Sequence, residues 1–193
     1  MANETLVPGT GYPGDHVWDD LRFPAQGINP PGAVSDPTIS TTTAMLSFSG
    51  SADNIIAGIA QMPHSWKPGS SIYPHVHLIY PTANPGKNSR WKFEYSRANN
   101  NDVFENAYGS YTTLATITVP SSTSTDYTWL DPDGFGELTM SGYRESCMIM
   151  WRITRLASSD AADDDTNAIV LAEFDFHYQI EKAGTRSRTP GAS

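Results

Sequence analysis

Residues 168–180 read AIVLAEFDFHYQI. Read two residues at a time, Val170, Ala172, Phe174, Phe176, Tyr178 and Ile180 fall on one face, and Glu173, Asp175 and His177 on the other. Side chains along a strand point alternately to opposite faces, so this is the pattern of a strand with one buried side. A strand of that kind belongs to an antiparallel sheet that packs one face on a core.

The same period recurs upstream. In SIYPHVHLIYP, residues 71–81, alternation sets Ile72, Val76, Leu78 and Tyr80 against Tyr73, His75, His77 and Ile79. In RWKFEYS, residues 90–96, Trp91, Phe93 and Tyr95 oppose Lys92 and Glu94. Strands are predicted over 44–48, 55–61, 72–80, 90–98, 111–119, 127–130, 147–155 and 168–180. Turn-forming runs separate them, among them SGSADN, NPGKNS, DPDGFGE and SSDAADDDTN. Nothing reads as a long amphipathic helix. The fold class expected is all-β: an antiparallel β-sandwich, jelly-roll-like, with an extended Pro/Gly-rich N-terminal arm.

Three segments are expected. Residues 1–40 hold six prolines and five glycines and read as the extended arm. Residues 41–181 form the β-sandwich domain and 182–193 a C-terminal tail. The arm carries Trp18, Leu21 and Phe23 in HVWDDLRFPA, which read as anchors for an apolar surface on a partner.

Composition narrows the function. The net charge of −9 argues against nucleic acid, whose phosphates require a basic surface. Lys182, Arg186 and Arg188 form the one basic cluster, and a solvated tail is the common reading of such a run. No apolar run approaches the roughly 20 residues that span a bilayer, so no membrane partner is expected. The opening MANETLVPGTG lacks the charged-then-apolar pattern of a signal peptide, and a cytoplasm is the expected place of synthesis and assembly. Cys147 is the single cysteine; it sits in SCMIMW and reads as buried and inert.

Chemistry centres on the histidines. If the strands at 72–80 and 168–180 are neighbours, His75 and His77 meet a carboxylate and His177, a set that suits Zn²⁺ or Fe²⁺. His-x-His also opens the ligand set of the cupins, which are jelly rolls. A cupin-like site lies inside the barrel, whereas these histidines oppose the apolar face, and LIYPTANPG supplies no acidic ligand. His75, His77 and His177 are therefore assigned to a polar sheet face or a candidate subunit contact, with no metal, no cofactor and no catalytic residue. No Gly-x-Ser-x-Gly elbow and no phosphate-binding loop occurs. Asp160, Asp163, Asp164 and Asp165 are candidate Ca²⁺ ligands without EF-hand spacing, and an exposed acidic hairpin is the commoner reading. Trp66 and Trp129 border turns, where they either stack on a sugar or close the end of the core.

Three segments carry a resemblance: GDHVWDDLRFPAQGINPPGA, QMPHSWKPGSSIYPHVH and LAEFDFHYQI. Together they resemble a group of virion structural proteins of tailed bacteriophages and prophages. The resemblance implies a particle component and no enzyme. The expected role is a capsid decoration (cement) protein on the capsid exterior, assembled in the host cytoplasm. Its expected partners are the major capsid protein and further copies of itself, as a trimer or dimer. A tail or neck appendage that binds a host glycan through Trp66, Tyr73 and Trp129 is the first alternative. A cupin-like metalloenzyme built on His75, His77 and His177 is the second.

Overall fold

The structure, a computed structural model, describes residues 17–82, 84–105, 111–119, 128–130 and 134–181. Among the described residues ten strands form two sheets: β1 (Val17–Pro24), β2 (Thr38–Ile39), β3 (Leu46–Phe48), β4 (Asn54–Gln61), β5 (Ile72–Tyr80), β6 (Asn88–Ala98), β7 (Tyr111–Thr118), β8 (Thr128–Leu130), β9 (Met148–Arg155) and β10 (Ile169–Ile180). One sheet runs β2-β3-β10-β5-β8, with β1 paired to the same flank of β10 as β3; the other runs β4-β9-β6-β7. Every pairing is antiparallel. From β3 to β10 the chain crosses from one sheet to the other at every step except β6 to β7. That wiring is the two-Greek-key jelly roll.

The eight strands read from the sequence are all present, within two residues at either end of each described boundary. The predicted arm differs in one part. Residues 17–24 do not trail away from the sandwich: they pair along eight positions of β10, from Val17 opposite Ile180 to Pro24 opposite Glu173. Their own alternation explains why. Leu21 and Phe23 lie opposite Phe176 and Phe174 and pack on the core, while Asp20 and Arg22 face outward. Pro24 ends the strand, where a missing donor does no harm. The domain boundary therefore falls before Val17 on the described residues, and Leu21 and Phe23 are spent on the chain's own core. Residues 1–16 of the arm and the tail from 182 lie outside the described residues.

Aromatic rings fill the space between the sheets. Phe174 touches Trp151 (centroids 4.6 Å apart), Phe176 (4.9 Å), Phe93 (5.8 Å) and Phe23 (6.0 Å). Such pairs add to the burial of large apolar surface. Gly58, opposite Trp151 in the pairing of β4 and β9, leaves room for the indole: a Cβ there would stand 2.3 Å from Trp151 Cζ2.

The sequence alternation of β10 needs one correction. Leu171 pairs with Leu78 and Glu173 with His77, so Ala172 is an extra residue, a β-bulge. The bulge reverses the faces on its N-terminal side. Ile169 and Leu171 join the core together with Phe174, Phe176 and Tyr178. Val170, itself fully buried, turns to the opposite face across from Ile79, whereas plain alternation sets it with Phe174 and Phe176.

On the outer face of the smaller sheet, Glu94 takes a two-pronged contact from Arg152 (2.8 and 2.7 Å) and lies 3.3 Å from the Lys92 ammonium. Burial alone would raise its pKa, but these two cations outweigh it and hold the carboxyl below the ordinary glutamate value. A depressed folded-state pKa contributes stability that is complete above the unfolded value, about 4.3, and is lost as pH falls through the folded value. Glu94→Gln is expected to cost about 1–2 kcal/mol at neutral pH. Urea titrations at pH 7 and pH 3 should show the gap between variant and wild type shrinking in acid. A gap independent of pH would count against the ion pair.

Candidate functional site

The strands β5, β10 and β1 lie side by side, and their registers stack polar residues on the face turned away from the core. His75 stands opposite Asp175, and Asp175 opposite Arg22. Tyr73 stands opposite His177, and His177 opposite Asp20. His77 stands opposite Glu173. The reason is the two-residue period: His75 and His77 share a face, as do Asp175 and His177, and the bulge lies beyond them.

Asp175 is the hub. Its Oδ2 is 2.8 Å from His77 Nε2, and its Oδ1 is 3.4 Å from both His75 Nδ1 and His177 Nε2. The rings of His75 and His77 are 4.7 Å apart, and those of His75 and His177 4.6 Å. Asp20 Oδ1 approaches His177 Nε2 at 3.5 Å from β1. Asp175 is 1% exposed and His75 5%, although both lie outside the core. Burial alone would raise the Asp175 pKa, but the neighbouring His75 and His77, with His177 behind them, outweigh it and hold the carboxyl below the ordinary aspartate value. Asp175 is therefore a carboxylate at neutral pH. One ligand atom each from His75, His77 and Asp175 lie within 4.8 Å of one another, as do those of Asp20, Asp175 and His177.

The convergence anticipated for neighbouring strands is thus present, and it is on the outer face of the sheet, not inside the barrel as in a cupin. Arg22 closes the upper edge with a two-pronged contact to Glu173 (2.6 and 2.8 Å). Trp18 meets Tyr73 edge-on at 5.6 Å. Trp18 and Tyr73 share the outer face of the sheet with the histidines, of which His75 is buried. The sequence reading missed the contribution of β1: Asp20 and Arg22 carry the alternation of a strand, but prolines on either side masked it.

The other candidates resolve differently. Trp66 is fully buried and closes the core, so it does not present a sugar-stacking face. The Trp129 side chain lies outside the described residues. Cys147 is buried, and burial pushes its thiol up to about 12, which leaves no thiolate for chemistry. The acidic loop is mixed: the side chains of Asp163 and Asp165 are buried, Asp160 is half-buried and Asp164 is exposed, and each has a protein partner. Asp163 pairs with Arg155, Asp160 with Arg90, and Asp164 with Lys87, while Asp165 accepts from Asn84.

One pair was invisible in the sequence. His64 Nε2 lies 2.6 Å from Ser146 Oγ, and Ser146 has a left-handed backbone with φ 63°. A strained serine beside a histidine is a nucleophile's setting. Here the neighbouring amides are occupied, since Ser146 N–H donates to Met62 O and Cys147 N–H to Arg144 O. These amides leave no oxyanion hole beside Ser146.

No family model matches the chain, and no curated protein is similar to it in sequence. The histidine–aspartate face is therefore read on its own chemistry.

Proposed function

We propose that the chain is a bacteriophage virion structural protein, and that it decorates the capsid as a cement protein. The resemblance of three segments to such proteins supports the reading. The observation that carries it is where the exposed apolar side chains lie. Val17, Trp18, Val34 and Ile39 all stand exposed within one short N-terminal stretch; elsewhere among the described residues only Ile59, Val103 and Leu114 do. Both strands of that stretch, β1 and β2, are flank strands of the larger sheet, each paired with one neighbour among the described residues. A flank with open backbone groups and apolar side chains suits docking on another chain by strand addition. The acidic, rigid jelly roll then stabilises the shell by binding its assembled form in preference to free subunits. The major capsid protein is the proposed partner, with further copies of the chain beside it.

Two measurements test this. The copy number in purified particles, set against the major capsid protein, is expected near one per capsid subunit or per few. A handful of copies would move the protein to the neck or tail, and absence from the particle would overturn the reading. Trp18→Ala should lower occupancy with little change in folding stability. Phe23→Ala is expected to cost about 2–3 kcal/mol of stability, because its ring packs on Trp151, Phe174 and Phe176. Unchanged occupancy with Trp18→Ala would remove β1 from the contact.

A further inference from the structure

We propose that His75, His77 and Asp175 bind a divalent transition metal, Zn²⁺ first, on the outer face of the larger sheet, with His177 and Asp20 flanking its open side. This assigns a metal where the sequence pattern assigned none, and it stands independently of the virion reading.

Spacing is the first argument. A tetrahedral zinc with bonds of about 2.0–2.1 Å holds its ligand atoms roughly 3.4 Å apart. His75 Nδ1 and His177 Nε2 each stand 3.4 Å from Asp175 Oδ1. Good N–H···O bonds are shorter, at about 2.7–3.2 Å. The His77 contact at 2.8 Å is a hydrogen bond that an ion would replace, and one donor atom each of His75, His77 and Asp175 already lies within 4.8 Å of the others.

Convergence is the second. A histidine held by a carboxylate needs one ring for one oxygen. Here three rings from two strands gather on a single buried carboxylate. Asp175 Oδ1 is shut off from solvent and takes no well-formed hydrogen bond, so this oxygen keeps an unused acceptor position although the histidines hold the carboxyl ionised. A dication fills that position.

Preorganisation is the third. His75 and Asp175 are direct partners in the pairing of β5 and β10, and His77 is one step along the same ladder. Their backbones are fixed by the sheet, so the donors need only small side-chain rotations to close on an ion. Imidazole and carboxylate donors suit Zn²⁺, and three protein ligands leave one position for water, His177 or a donor from another chain.

The test uses the full chain, stripped with EDTA and titrated with ZnCl₂ by calorimetry and thermal melting. One Zn²⁺ per chain and a raised melting temperature are expected. His77→Gln and Asp175→Asn should each weaken binding at least about tenfold. His64→Gln, whose ring bonds Ser146 away from this face, should bind like wild type. If the aspartate variant fails to fold, the wild-type chain still decides. Co²⁺ should then give visible bands of a low-coordinate site, and zinc should shift the imidazole nitrogen resonances of His75 and His77. The proposal is overturned by the absence of saturable binding below about 100 μM. It is equally overturned if His75→Gln/His77→Gln binds zinc as tightly as wild type, which would place the ion on surface acids.

Discussion

Arg155→Met should destabilise the fold by about 3–5 kcal/mol, the loss expected when one partner of a buried ion pair is removed. Both side chains are sealed from water: Arg155 is 0% and Asp163 1% exposed. Arg155 Nε and Nη2 each lie 3.0 Å from an Asp163 oxygen. Its remaining donors reach the carbonyls of Asn167 (2.7 Å), Phe48 and Asp165. The guanidinium therefore ties the loop between β9 and β10 to the end of β3. Methionine fills similar volume but leaves the Asp163 carboxylate buried with the Arg90 amide (2.9 Å) as a donor. Part of the loss should return in Arg155→Met/Asp163→Leu, since the second change removes the stranded charge. Urea unfolding of the two single variants and the pair measures the coupling. A single-variant cost below about 1 kcal/mol would mean that water reaches the pair.

Deleting Ala172 should be as damaging. The bulge lets Ile169 and Leu171 point into the core from one end of β10 while Phe174, Phe176 and Tyr178 do so from the other. Without the extra residue a regular ladder must put one set on the wrong face. Turning out Phe174 and Phe176 would also bring Glu173 and Asp175 into the core, so the shorter end should yield. Exposing Ile169 and Leu171, both fully buried, costs about 1.5–3 kcal/mol each. The expected total is roughly 3–6 kcal/mol on that scale, with a matching fall in denaturation midpoint. Ala172→Gly keeps the register and should stay within about 1 kcal/mol of wild type. A deletion variant as stable as wild type would mean that the bulge migrates along β10 at little cost.

Both predictions lie where local pattern and tertiary structure part. The run at 160–165 reads as an exposed acidic hairpin because Asp160, Asp163, Asp164 and Asp165 have no basic neighbours within the run. Their partners Arg90, Arg155, Lys87 and Asn84 come from other strands and turns. Arg155 lies only eight residues from Asp163, but the partners of Asp160, Asp164 and Asp165 are 70 or more residues away, and compensation over that distance leaves no local trace. Phe23 read as a partner anchor for a related reason: an apolar side chain in a Pro-rich segment does not reveal whose core it joins.

The histidine face was more legible. Alternation alone put His75, His77, Asp175 and His177 on outward faces, because a strand's side-chain period is a local property of the backbone. The same rule located the strands and made a sandwich the economical solution for eight half-buried segments. What alternation cannot convey is adjacency. Which strands pair, that β1 leaves the arm to join β10, that Ala172 bulges, and that three imidazoles close on Asp175 all depend on contacts between distant segments. Those contacts are selected by packing of the whole core, around Phe174 and Trp151, and only the folded chain brings them together.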